Sequence, residues 1–202
     1  VRSGRRGPAL TIAAALTAAV AAGCGVTPAP APPAATSSAS PGSPTAVTGP
    51  PPGQPTDYSF LLVKPRDIGG ELTASQPPLL NPDNTPGATQ LFANADKTRR
   101  VWDTVQVFAD PNAATAELAT AKATYADKVI GTWQPLGLGG AGALITGVSP
   151  DNAQAVTVVL FTEGRALGTL EFDGAPGDPV DPALATAIAG KQDDAIKKGL
   201  PG

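Results

Sequence analysis

From Gly25 to Thr56 the chain carries ten of its 23 prolines and neither a charged nor an aromatic residue. Such a stretch has little apolar surface to bury and cannot offset the entropy of ordering its own backbone. Its prolines favour extended polyproline conformations at ~3 Å per residue, so it reads as a spacer. The 202 residues therefore divide into a leader, 1–23, a disordered Pro/Ala/Ser/Thr-rich tether, 24–57, and one domain, 58–202. Any packed core has to be built from the last part, where aromatic and branched residues set in at Tyr58.

Ahead of the spacer, Arg2, Arg5 and Arg6 precede an uncharged, alanine-rich run of fourteen residues from Ala9 to Ala22. As a helix that run is too short for ~30 Å of hydrocarbon, so it reads as the core of an export signal. Ala21-Ala22-Gly23-Cys24 resembles the bacterial lipobox, although Ala21 stands where that motif prefers Leu or Val. The resemblance implies cleavage before Cys24 and thioether linkage of Cys24 to diacylglycerol. It also implies a lipid-anchored location on the extracytoplasmic face of the cell membrane. Each acyl methylene contributes about 0.8 kcal/mol, so two or three chains hold a protein there durably. The alternative is an ordinary secretory signal that leaves a free thiol.

Cys24 is the chain's one cysteine, and histidine is absent. An intrachain disulfide is therefore ruled out, and a Cys/His zinc site nearly so. Loss of the leader leaves 11 of the 14 Lys and Arg against 17 acids, a balance that argues against nucleic acid as partner.

Within 58–202 the apolar run Ser59–Val63 predicts a short buried strand, and 67–74 a helical turn or two. The prolines between Gln76 and Gly87 predict loop. Strands are predicted over 89–93 and 99–108, with a turn at Ala95-Asp96-Lys97, and again over 129–134, 143–148, 155–162 and 165–172. Two helices announce themselves through Asp-Pro pairs, an N-cap followed by a proline at the first helical position. The first starts at Asp110 with an apolar face of Ala114, Leu118, Ala121 and Tyr125. The second starts at Asp181 with a stripe of Leu184, Ile188, Gln192 and Ile196, and Gly199 stops it. The order predicts an α+β fold, an antiparallel sheet with two main helices packed on one face.

Leu136-Gly137-Leu138-Gly139-Gly140-Ala141 lies between two predicted strands and resembles a turn common in actinobacterial extracytoplasmic lipoproteins. With the lipobox and the tether, the whole chain resembles a mycobacterial-type cell-envelope lipoprotein. Residues 58–200 resemble the extracellular sensor domains of the PknH type, with the LpqN-type lipoproteins second. Sensor domains of that type usually carry disulfides, which this chain cannot form. The resemblance implies an α+β extracytoplasmic domain and transfers no ligand.

The glycines at 137, 139, 140 and 142 read as a tight turn, since a dinucleotide loop needs a strand before it and a helix after it. Glu171, Asp173, Asp178 and Asp181 crowd one glycine-bearing stretch and are weak calcium candidates, although their spacing fits no EF-hand. No other metal site and no cofactor is expected. Without His, and with neither a Ser-x-x-Lys pair nor a Gly-x-Ser-x-Gly elbow, no catalytic machinery is recognisable and no enzyme is expected. Trp133, beside Pro135 and the glycines, is the expected rim residue of a ligand groove. Trp102 is a second candidate that more readily packs under a helix.

The expectation is a monomeric binding or sensing module whose partner is an envelope lipid, glycan or membrane protein. A structural or assembly lipoprotein docking on an envelope complex is the alternative, and an envelope hydrolase a remote one. Cys24→Ala should abolish lipidation. The variant is expected in the aqueous phase of a detergent phase-separation assay, whereas the wild type partitions with detergent.

Overall fold

The computed structural model describes residues 55–200; Cys24, the leader and most of the tether lie outside them. The strands are β1 (Thr73–Ala74), β2 (Leu79–Leu80), β3 (Gly87–Ala93), β4 (Arg100–Val107), β5 (Ile130–Gly131), β6 (Gln134–Leu136), β7 (Ala141–Val148), β8 (Ala155–Glu163) and β9 (Ala166–Gly174). The helices are α1 (Pro65–Ile68), α2 (Pro111–Ala126) and α3 (Pro182–Gly199). All nine strands join one antiparallel sheet in the order β1-β3-β4-β9-β8-β7-β5, with β2 also paired to β3 and β6 also to β7.

Local chemistry starts both long helices where the sequence placed them. The Asp110 carboxylate accepts from the backbone N–H groups of Asn112 and Ala113 at 2.8 and 3.0 Å. Asp181 accepts from Ala183 at 2.9 Å. Each aspartate thereby satisfies N–H groups that a first helical turn leaves open, while Pro111 and Pro182 have none to satisfy.

The α+β class and the antiparallel sheet are as the sequence predicts, but the two helices do not share a face. Leu170, Val159 and Asp103 lie side by side in register, and Asp103 bonds Gln192 of α3. The next row along, Trp102, Glu171 and Val158, points the other way, and Glu171 bonds Tyr125 of α2. On the α3 side Val101, Val105, Val159, Phe161 and Leu170 pack with Ile188 and Ile196. On the α2 side Ile145, Val156, Val158 and Leu160 pack with Leu118, Ala121 and Tyr125. The reason lies in β8, whose side chains are buried from Ala155 through Thr162 on both faces. A strand without polar alternation needs cover on both sides, and one helix supplies each.

In the run Ser59–Val63, Leu61, Leu62 and Val63 are buried as expected, but Phe60 is 48% exposed and the run is no strand. Ser59–Leu61 is a single 3₁₀ turn, and the segment lies across the α3 face instead of along a sheet edge. It is fastened through Asp103, which has no solvent exposure. The Asp103 carboxylate accepts from the Val63 N–H at 2.8 Å and from the Gln192 amide. At Gly168 a Cβ would stand 2.5 Å from the Phe161 ring, so only glycine lets that ring lie flat across β9.

Burial pushes the Asp103 carboxyl from its ordinary 3.8 up to about 8, against the pull of the bonds from Val63 and Gln192. The folded protein thus keeps a proton that the unfolded chain releases near pH 4, and binds more protons throughout the window between. Stability from this group is complete below that window and is lost as pH rises toward about 8. Urea midpoints measured from pH 4 to 9 should fall more steeply for the wild type than for Asp103→Asn. That substitution keeps an acceptor for Val63 and carries no titrating group.

Candidate functional site

At the end of the sheet where β4 begins and β9 ends, the α3 face is left incompletely filled. The void is a cleft of about 380 Å³, within the range of small-molecule sites. Ile68 closes α1 above it, Leu72 follows from the next loop, Val101 and Phe172 form its floor, and Leu184 and Ile188 of α3 form its far wall. Leu184 sits in the first turn of α3 and is 50% exposed, although it belongs to the predicted apolar stripe. The other three members, Ile188, Gln192 and Ile196, are buried. Leu184 therefore overhangs the mouth of the cleft and leaves apolar surface open there.

Polar groups gather at the rim. Arg99, Arg100, Asn94 and Glu71 all line the cleft. Arg99 pairs with Asp178 of the β9–α3 connection, while Arg100, on the side of β4 that faces α2, pairs with Asp173 across the end of the sheet at 3.0 Å. Desolvation pushes the Asp173 carboxyl upward, the nearby Glu171 adds to this, and Arg100 opposes it. Both arginines stay partly exposed, so these pairs fasten the rim more than they stabilise the fold. The chemistry available is an apolar body held below and polar or anionic groups met by guanidinium above. A wider concavity of about 910 Å³ lies between β6, β7 and the start of α3, but it is an open shelf without a charged side chain.

The acidic stretch proposed for calcium is not brought together. Glu171 accepts from the Tyr125 hydroxyl at 2.7 Å, Asp173 meets Arg100, Asp178 meets Arg99, and Asp181 caps α3. Among the described residues no group of three or more acids, cysteines or histidines is placed to hold a metal. The glycine-rich stretch is the tight turn that the sequence predicts. Gly139 has a φ of +61°, its Cβ would stand 2.1 Å from the Thr162 carbonyl, and the Gly140 N–H donates to that carbonyl at 2.7 Å.

Neither tryptophan lines the cleft, and the half-buried Trp133 is better covered than Trp102. Trp133, expected at a rim, packs against the core under α2, with Lys122 Nζ 5.6 Å from its ring centre. Its indole nitrogen is buried and has no hydrogen-bond partner. Trp102, expected to pack, is 36% exposed on the α2 face, beyond the helix. Sequence reasoning missed the cleft because its lining comes from six separated stretches; the signal that was there is Leu184, an apolar residue only three positions after its N-cap.

No family model matches this chain, and no curated protein matches it. Among solved structures it is similar to the extracellular domain of PknH from Mycobacterium tuberculosis, with a TM-score of 0.49 and 11% sequence identity. The similarity covers 69% of this chain and 95% of that one.

The tryptophan positions predict unequal costs. Trp133→Ala should destabilise the domain by about 3 kcal/mol in urea unfolding, because it empties the contact under α2. Trp102→Ala should stay within about 1 kcal/mol of wild type.

Proposed function

We propose that this protein is a lipid-anchored extracytoplasmic binding module, and that it takes an apolar small molecule into the cleft between α1, the sheet and α3. The observation that carries the reading is the cleft itself, about 380 Å³ with a largely aliphatic lining and an arginine-bearing rim. A domain that served only as a docking block would be expected to fill such a space, since an empty apolar void forfeits dispersion contacts. The rim favours a ligand with a polar or anionic end, so an amphiphile of the envelope suits both halves of the site. The Cys24 anchor and the proline-rich tether would hold the domain within reach of such molecules. No helix among the described residues is long and apolar enough to cross a membrane.

The test is native mass spectrometry of the protein purified from its own envelope, followed by titration with the fluorescent fatty acid cis-parinaric acid. A co-purifying apolar molecule and saturable probe binding are expected. Leu184→Glu places a charge at the mouth and occupies the third helical position, where Glu is a favoured capping partner, so the fold should persist. It should weaken probe binding about tenfold, equivalent to 1.4 kcal/mol. Absence of any co-purifying molecule together with no saturable probe binding would sink the reading.

A further inference from the structure

The sheet has a further concave surface, on the side away from the cleft. There α2 packs over β8 and β9, and β4 and β3 extend past it. A groove of about 330 Å³ runs between α2 and the Pro82–Asn84 turn, which stands opposite as a second wall. Its floor is Thr89, Thr104, Thr169 and Gln106, all uncharged and all able to hydrogen-bond. Thr89 and Thr104 share a hydrogen bond of 2.6 Å between their hydroxyls. The next row on this face after Thr104 holds Trp102, and directly across from Trp102 stands Glu171. The Tyr125 hydroxyl holds one oxygen of that carboxylate at 2.7 Å, which fixes its orientation beside the exposed indole.

Polar side chains alone are what any solvated antiparallel face shows. Two walls around an uncharged hydroxyl and amide floor, with an exposed indole beside an oriented carboxylate, go beyond that. We propose that this groove binds a neutral glycan. A sugar ring offers one face of C–H bonds, which stacks on an indole, and a set of hydroxyls, which pair with carboxylate, amide and hydroxyl groups. An extended apolar ligand would bury the threonine and glutamine groups without partners and is disfavoured. The floor carries no charge, and the walls set Asp83 and Glu117 against one cation, Lys128, which leaves no net positive charge to reward an acidic glycan.

Trp102 can report on its own site. In a Trp133→Phe variant of the full chain it is the sole tryptophan. Its emission is followed during titration with maltohexaose, the N-acetylglucosamine hexamer and mannohexaose at millimolar concentration. At least one should produce a saturable shift. Gln106→Ala and Glu171→Gln should each weaken that binding about tenfold. Leu184→Glu, in the opposite cleft, should leave it unchanged, so the two sites stand or fall separately. No saturable shift with any of the three sugars, or a shift that survives both Gln106→Ala and Glu171→Gln at full affinity, would overturn the proposal.

Discussion

The Asp103 carboxyl sits under α3 with no exposure to solvent, bonded to a backbone N–H of the segment before α1 and to the Gln192 side chain. Through these bonds one strand residue ties three parts of the fold, namely the sheet, residues 58–68 and α3. A buried carboxyl is costly unless it is satisfied, and burial without a cation favours its protonated form. The arrangement also positions the cleft. Ile68 comes five residues after Val63, and Ile188 one helical turn before Gln192, so the two sides of the cavity are fastened at the same polar point. Slackening it would let the α1 and α3 walls part together.

How much of this the sequence showed depends on how local each signal is. Asp110-Pro111 and Asp181-Pro182 are legible because a cap and its N–H partners lie within three residues of each other. The β3–β4, β7–β8 and β8–β9 hairpins are legible because an apolar run, a polar turn and a second run follow in order. The side of the sheet that each helix covers is not local. The clue to it was present in Val156 to Phe161, where apolar residues fill successive positions almost without alternation. That pattern belongs to a strand buried on both faces, and it contradicts two helices on one face. Ser59–Val63 misled for a related reason. An apolar run records burial, and here the burial comes from lying across a sheet face.

The sites were less legible still. Glu171 and Asp173 are adjacent in the sequence pattern and share a face, yet each finds a different partner, one on α2 and one on β4. Asp178 and Asp181 leave the sheet altogether and serve a loop pair and a helix cap. Sequence proximity of carboxylates thus said nothing about a common ligand. Trp102 and Trp133 show the same limit. Both lie among branched or small neighbours, and only the reach of α2 across the sheet decides that one is covered and the other exposed.

Helix width against sheet width accounts for the cleft and for the groove on the opposite face. An α-helix with its side chains is about 10–12 Å across, while strands repeat every ~4.8 Å, so one helix covers little more than two strands. With one long helix on each face, the remainder of the sheet has to be covered by other chain or left open. On the α3 face residues 58–68 take that role, and their apolar side chains complete the core except at the end where α1 stops. The gap that remains inherits the core's aliphatic character. On the α2 face no comparable segment among the described residues lies over β4, and the open positions of β3 and β4 are polar except for Trp102 and its neighbour Leu91, with Leu79 of β2 exposed beside Thr89. Two faces of one sheet therefore present different chemistries because their covering segments differ in extent.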